Sequence, residues 1–248
     1  MTLEEQQAGG AGRHVAFCGG RRVAFFGGSF DPPHRGHLAV ARAARAALGL
    51  ETVLFAPVGA QPLKTQEAIT GFEDRLAMTQ LAIQDEAGFE ISLVDAPIAS
   101  GGPNYTLETL EKLRRQLPGS ALFFLMGADS FFGLRKWHRA AEIPFAAPLI
   151  VASRPGEPLD ELKRALPPGL TMVAMSAPKQ LNSVTVQEFE VRNDAGQTGK
   201  LVLLPELDVR ISASEIREQL RGAGTASQVR TWLPEPVAEY VQTHGLYR

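Results

Sequence analysis

From residue 22 onward, short unbroken apolar runs alternate with longer stretches whose apolar residues recur every three or four positions. The runs at 22–27, 52–56, 91–94, 121–126 and 148–152 are short and β-rich, and each reads as a strand. The stretches between them read as helices. One spans about 37–48 and stops at Gly49 in the C-cap position. A second follows Thr70-Gly71-Phe72-Glu73, which has the pattern of a capping box, and sets Phe72, Leu76 and Ile83 on one face. A third carries the stripe Leu107, Leu110, Leu113 and Leu117 and ends at Pro118-Gly119. Strands separated by helices of this length are βαβ units. They predict an α/β fold on a doubly wound, Rossmann-like parallel sheet.

The rhythm breaks between Pro167 and Pro205. Thr171-Met172-Val173-Ala174, Val184-Thr185-Val186 and the turn-like Asn193-Asp194-Ala195-Gly196 suggest a β-rich insertion or hairpin at about 167–200. A last helix near 236–243 ends at Gly245. At the other end, His14-Val15-Ala16-Phe17-Cys18-Gly19-Gly20 is a faint copy of Arg22-Val23-Ala24-Phe25-Phe26-Gly27-Gly28, and only the second copy leads into a polar motif. Residues 1–21 therefore read as an extension, disordered or loosely packed, with a hairpin between the two copies as the alternative. Residues 22–248 read as a single domain.

Composition narrows the function classes. The chain has 248 residues, 44% of them hydrophobic, and a formal net charge of −2. That suits one globular α/β domain with a sizeable core. No apolar run reaches the roughly eighteen residues of a membrane span. Residues 1–12 are polar and glycine-rich, without the apolar core of a signal peptide. The one cysteine, Cys18, excludes an internal disulfide and suits a reducing cytoplasm. The near-neutral balance offers no basic stripe for nucleic acid. Nothing fixes the oligomeric state, and a homo-oligomer stays open.

The chemistry concentrates in Gly27-Gly28-Ser29-Phe30-Asp31-Pro32-Pro33-His34-Arg35-Gly36-His37, where the first strand hands over to a helix. Gly27 and Gly28 allow a tight turn and let backbone N–H groups approach phosphate oxygens. Pro32 and Pro33 stiffen the approach to the helix. His34 and His37 stand beside a helix N-terminus, where an anion is favoured, and can donate N–H bonds to phosphate oxygens, from both nitrogens if protonated. A zinc pair is the rival reading, but neither an H-E-x-x-H motif nor a cysteine pair supplies further ligands.

Two other strings point the same way. Ile211-Ser212-Ala213-Ser214-Glu215-Ile216-Arg217 contains a capping box at Ser212 and Glu215, so a helix starts there with two hydroxyls and an arginine at its N-terminus. A plain capped helix is the blander alternative. Met126-Gly127-Ala128-Asp129-Ser130 follows an apolar strand, and ligands of open α/β sheets bind at such strand ends. Asp129 there suits ribose hydroxyls, or else simply caps a helix. Arg154, beyond the strand at 148–152, reaches a phosphate or caps a turn. His14, His138 and His244 read as structural or solvated. There is no G-x-x-x-x-G-K-[ST] loop, and Gly222-Ala223-Gly224 follows a helix rather than a strand, so neither a P-loop nor a dinucleotide fingerprint is present.

The first string resembles the H-x-G-H signature of the nucleotidyltransferase superfamily, and in its full length the opening of the bacterial nicotinate-nucleotide adenylyltransferases. The 211–217 string is similar to that family's I-S-S-T-x-I-R, with Ala213 and Ser214 as departures, and Gly127-Ala128-Asp129 to its G-A-D. The resemblance covers 22–156 and 201–248 in order. It implies a Rossmann-like nucleotidyltransferase fold and adenylyl transfer from ATP to nicotinate mononucleotide, giving deamido-NAD and pyrophosphate. ATP is then expected along Gly27, Gly28, Ser29, Phe30, His34, His37, Gly127, Asp129, Ile211, Ser212, Ser214 and Arg217. His34, His37 and Arg217 would be catalytic, and Mg²⁺ would arrive with ATP rather than in a dedicated metal site.

The same resemblance implies a nicotinate nucleotide site at Lys64, Thr106, Trp137 and Arg154. Trp137 would stack on the pyridine ring, although a core tryptophan reads almost equally well. Asn104-Tyr105-Thr106 is similar to the family's S-Y-T, near the pyridine carboxylate, with Asn104 in place of serine. Leu63 stands where a polar residue is usual before Lys64, and Arg75 would help order that loop. Nicotinamide mononucleotide and phosphopantetheine are the rival acceptors. A catalytically silent nucleotide sensor is the rival from another class.

Overall fold

The computed structural model describes residues 20–60, 70–153, 159–205, 207, 211–221 and 226–247. The expected sites Lys64 and Arg154, with Leu63, the copy at 14–19 and Gly222-Ala223-Gly224, lie outside the described residues.

In chain order the elements are β1 (Arg22–Gly28), α1 (Arg35–Leu48), β2 (Thr52–Pro57), α2 (Phe72–Ile83), β3 (Phe89–Ile91), α3 (Thr106–Gln116) and β4 (Ala121–Gly127). They continue as α4 (Ala128–Gly133), α5 (Ile143–Ala146), β5 (Leu149–Ala152), α6 (Leu159–Ala165), β6 (Leu170–Ala174), β7 (Lys179–Leu181), β8 (Val184–Asn193) and β9 (Thr198–Leu204). The chain closes with α7 (Ala213–Arg221), α8 (Ala226–Trp232) and α9 (Glu235–Thr243).

The sheet runs β3-β2-β1-β4-β5-β9-β8-β6, with β7 pairing β8 to the side. Pairing is parallel from β3 across to β9 and antiparallel at β9–β8 and β8–β6. The strand order reverses between β1 and β4, which opens a crevice at their carboxyl ends. Side chains alternate through the sheet as a two-residue period requires. Ala24, Phe26, Phe55, Leu125 and Ile150 face a core under α1, α2 and the C-terminal helices. Phe25, Phe124, Met126, Leu149 and Val151 face a second core under α3, α4 and α6. Burial on both faces explains why β1, β4 and β5 read as unbroken apolar runs. Among the described residues no helix is long and apolar enough to cross a membrane.

Residues 167–200 extend the main sheet. The turn expected at Asn193–Gly196 joins β8 to β9: Asn193 Oδ1 accepts from Gln197 N at 2.9 Å, and Gly196 takes φ 79°. Gly49 caps α1 in the left-handed conformation, φ 59°, as the sequence suggests.

Three local expectations need correction. The capping box at Thr70 and Glu73 does not form: Gly71 is the N-cap of α2. Thr70 instead gives its N–H to Asp31 Oδ2 at 3.4 Å and its carbonyl to Arg75 Nε at 3.0 Å. The buried face of α2 is Arg75, Met78, Thr79, Ala82 and Ile83 rather than Phe72 and Leu76, because α2 turns a buried arginine toward the β1–α1 loop. The third strand is Phe89–Ile91 and ends where 91–94 was expected to begin, since Phe89 supplies the buried anchor and Val94 already lies in a turn.

Candidate active site

The loop after β1 is built from its glycines outward. Gly28 ends the strand, and Phe30 is held at φ 48°, the left-handed region that a bulky residue occupies only when its surroundings fix it. The fixing is packing: the Phe30 ring is buried edge-on against Phe26 at 5.5 Å between centroids. This turn places His34 at the N-cap of α1 and His37 one turn in. The two imidazoles stack at 3.7 Å between centroids, with Phe30 edge-on to His37 at 5.0 Å.

His37 Nδ1 accepts the His34 backbone N–H at 3.1 Å, which leaves the His37 proton on Nε2. His34 Nδ1 is buried and has no hydrogen-bond partner among the described residues. Burial lowers His34 to about 4, and burial together with the neighbouring His34 holds His37 well below its ordinary 6.5. Both rings are therefore neutral at pH 7, and each donates from one nitrogen.

Helix α7 supplies the opposite wall. Its capping box forms as expected: Ser212 Oγ accepts from Glu215 N at 3.2 Å, and Glu215 Oε2 accepts from Ser212 N at 3.1 Å. Arg217 Nη2 then lies 3.2 Å from Ser214 Oγ, and Arg217 Nη1 donates to the Asp31 carbonyl at 2.8 Å. The arginine thus fastens α7 to the loop that carries the histidines.

Behind the loop, Arg75 Nη1 donates to Ser29 O at 2.8 Å and Nε to Thr70 O, so Arg75 ties the start of α2 to the turn after β1, while the loop around Lys64 that it was expected to order lies outside the described residues. Burial pulls the Arg75 pKa down, while the Asp31 charge offsets part of that.

One cavity of about 790 Å³ spans the carboxyl ends of β1, β4 and β5. It is lined by Gly27, Gly28, Ser29, Phe30, His34, His37, Gly127, Asp129, Ile211, Ser212, Ser214 and Arg217 toward the histidine side. Thr106 and Trp137 line the same cavity. Trp137 is half-buried, 6.2 Å from Phe124 between centroids, and so is neither a core residue nor a free one. The N-cap of α3 is Tyr105, with Thr106 in the first helical position, and that of α4 is Gly127, not Asp129.

Several lining residues had no sequence signal for a role. His138, expected to be structural or solvated, lines the cavity with its ring 4.4 Å from that of Tyr105. Asn104 ties two loops together: its Oδ1 accepts from Ala60 N at 3.0 Å and its Nδ2 donates to Ala96 O at 3.2 Å. That is the work of the residue standing in place of serine. Asp95 is buried, accepts a bond from the Thr109 hydroxyl, and is pushed up to about 6 by burial, against Thr109 and Lys112. Asp31 and Tyr247 form a further pair at the loop. Asp31 sits inside the motif, but only the fold gives it partners.

Comparison with known proteins gives the chain's relatives. A family model described as cytidylyltransferase-like matches residues 25–219. A protein of Gloeobacter violaceus named "Probable nicotinate-nucleotide adenylyltransferase" is 37% identical over 228 residues, 92% of this chain and 97% of its own length. One of the same name from Thermomicrobium roseum is 37% identical over 227 residues, 92% of each chain. Among solved structures, Plasmodium falciparum nicotinic acid mononucleotide adenylyltransferase complexed with NaAD superposes with TM-score 0.66 at 15% identity, covering 92% of this chain and 97% of that one. At that identity the likeness speaks for the fold.

Proposed function

The chain belongs to the cytidylyltransferase-like family and, within it, to the nicotinate-nucleotide adenylyltransferases, and from that premise we propose that it transfers the adenylyl group of ATP to nicotinate mononucleotide, giving deamido-NAD and pyrophosphate. The observation that carries the reading is that one cavity joins both sets of residues. It holds an imidazole pair and Arg217 beside a β1 glycine turn, and also Thr106 and Trp137.

The chemistry needs no protein nucleophile. The 5′-phosphate of the pyridine nucleotide is already anionic and attacks the α-phosphorus of ATP, while the bond to the β-phosphate breaks and pyrophosphate leaves. The protein's task is to align the two substrates in line and to neutralise developing charge. In our reading His34 and His37 donate to the phosphates around the reacting phosphorus. Ser214 and Arg217 hold the triphosphate, with the backbone of Gly27–Phe30 and the 211–212 turn beside it, and Asp129 at Gly127 takes the ribose. Trp137 offers its face to the pyridine ring. The N-terminus of α3 at Thr106 meets the pyridine carboxylate, favouring nicotinate over nicotinamide.

Lys64 and Arg154 stay proposed phosphate contacts from the resemblance alone. Mg²⁺ is read as travelling on the phosphates of ATP. Among the described residues no three His, Cys, Asp or Glu side chains gather. Residues 22–248 serve as one catalytic domain in this reading, and the lone cysteine suits the cytoplasm.

The test is pyrophosphate release from ATP and Mg²⁺ with nicotinate mononucleotide, nicotinamide mononucleotide or phosphopantetheine. Release is expected with the nicotinate nucleotide foremost. Preference for either other acceptor would replace the substrate assignment, and no release with any would point to the sensor.

A further inference from the structure

We propose that Asn104 is a positioning residue for the acceptor half of the cavity: its amide clamps the segment after β2 and the turn after β3 to the start of α3, and so fixes where Thr106 and Trp137 meet the pyridine nucleotide. The inference deepens the proposed function and rests on its reading of Thr106 and Trp137.

Three separate pieces of chain converge on this side chain. Asn104 Oδ1 accepts from Ala60 N at 3.0 Å, and Nδ2 donates to Ala96 O at 3.2 Å. The Asn104 backbone N–H donates to Ala60 O at 3.1 Å, so Ala60 is bonded through both of its main-chain groups. Gly59 N closes the ring by donating to Asp95 O at 2.7 Å. The approach there leaves no room for a side chain: a Cβ on Gly59 would stand 2.5 Å from the Pro97 backbone. The Thr109 hydroxyl on Asp95 ties the same turn to α3 a second time. Both polar ends of the Asn104 amide are taken by main chain. The residue lines the cavity but acts on a substrate through its neighbours.

Those neighbours form the acceptor wall. Tyr105 is the N-cap of α3, with Thr106 in its first position. The Tyr105 ring lies 4.4 Å from that of His138, which follows Trp137 in the chain. The histidine side is anchored separately, since Val58 N donates to Gly28 O at 3.0 Å. Loosening Asn104 therefore frees the acceptor wall and leaves the glycine turn in place. Serine, the residue of the resembling family here, has one short hydroxyl where asparagine has a separate donor and acceptor.

The experiment measures kcat and the KM for each substrate in full-length N104A and G59A. N104A should raise the KM for nicotinate mononucleotide about tenfold, the scale of one or two lost hydrogen bonds, while the KM for ATP stays within about twofold. G59A pushes the same two segments apart from the other side and should give the same split between substrates. A merely structural role predicts something else: a lower melting temperature and less active protein, which scales kcat and leaves both KM values alone.

If N104A is unfolded at assay temperature, N104S carries the test, because its hydroxyl still reaches one segment; the same split is then expected at about threefold. An unchanged KM for nicotinate mononucleotide in the folded variants, or a KM for ATP that rises as much, overturns the inference. A wild-type protein that forms no deamido-NAD fails the underlying reading instead, and the inference falls with it.

Discussion

Two buried titratable groups respond to pH with opposite signs. His34 is lowered to about 4 from 6.5 by burial, so the unfolded chain binds its proton first as pH falls. Stability from that ring is complete above pH 6.5 and is lost on the way down to about 4, with His37 adding in the same direction. The melting temperature of the ligand-free protein should therefore drop across that window. An anion at the rings favours their charged form, so ATP binding near pH 6 should take up protons. Calorimetry in buffers of different ionisation enthalpy measures that uptake, and none would mean that the rings do not meet phosphate.

Asp95 behaves the other way. Its pKa is raised from 3.8 to about 6, so burying it is tolerated below 3.8 and becomes costly as pH rises through about 6. Asp95→Asn should raise stability at pH 7.5 by the order of 1–3 kcal/mol and leave it nearly unchanged at pH 3.5. Urea titrations at the two pH values check this. The histidines were legible because glycines, prolines and helix start surround them in sequence. Asp95 was not, since its burial is decided by Thr109 on α3, fourteen residues away.

At the scale of elements, α7 carries two proposed ATP ligands and is begun by the Ser212–Glu215 box. Ser212→Ala should cost about 1 kcal/mol by urea denaturation and raise the KM for ATP with it, because the first turn positions Ser214 and Arg217. A change in stability with no change in that KM would separate the cap from the site. Leu110, fully buried in the α3 stripe, should cost about 2–5 kcal/mol on truncation to alanine.

This box was readable in advance, and the similar string at Thr70–Glu73 misled. The difference is tertiary. Thr70 is drawn to Asp31 and Arg75, which leaves Gly71 to start α2. The face of α2 was misread for the same reason, since periodicity treats arginine as polar and Arg75 is 3% exposed. Strands β1, β4 and β5 were legible because they are apolar on both faces. The three-residue β3 offers too short a pattern to place.

For the whole molecule, the parallel sheet followed from alternating runs and helices, but its extent did not. Residues 167–200 lengthen the sheet through β9, β8 and β6, and no local pattern says that β9 runs parallel to β5. The cavity is likewise a product of topology. The reversal between β1 and β4 brings the β1 loop, α4 and α7 around one space, and the chain's end returns to brace the loop at Asp31.

The central claim is that this space transfers adenylyl groups through its imidazole pair. It is tested most directly by measuring deamido-NAD formed from ATP and nicotinate mononucleotide by wild-type protein and by folded His37→Ala side by side. The account predicts product from the wild type and a turnover lower by about 10²-fold or more in the variant. Equal rates, or no product from the wild type, would contradict it.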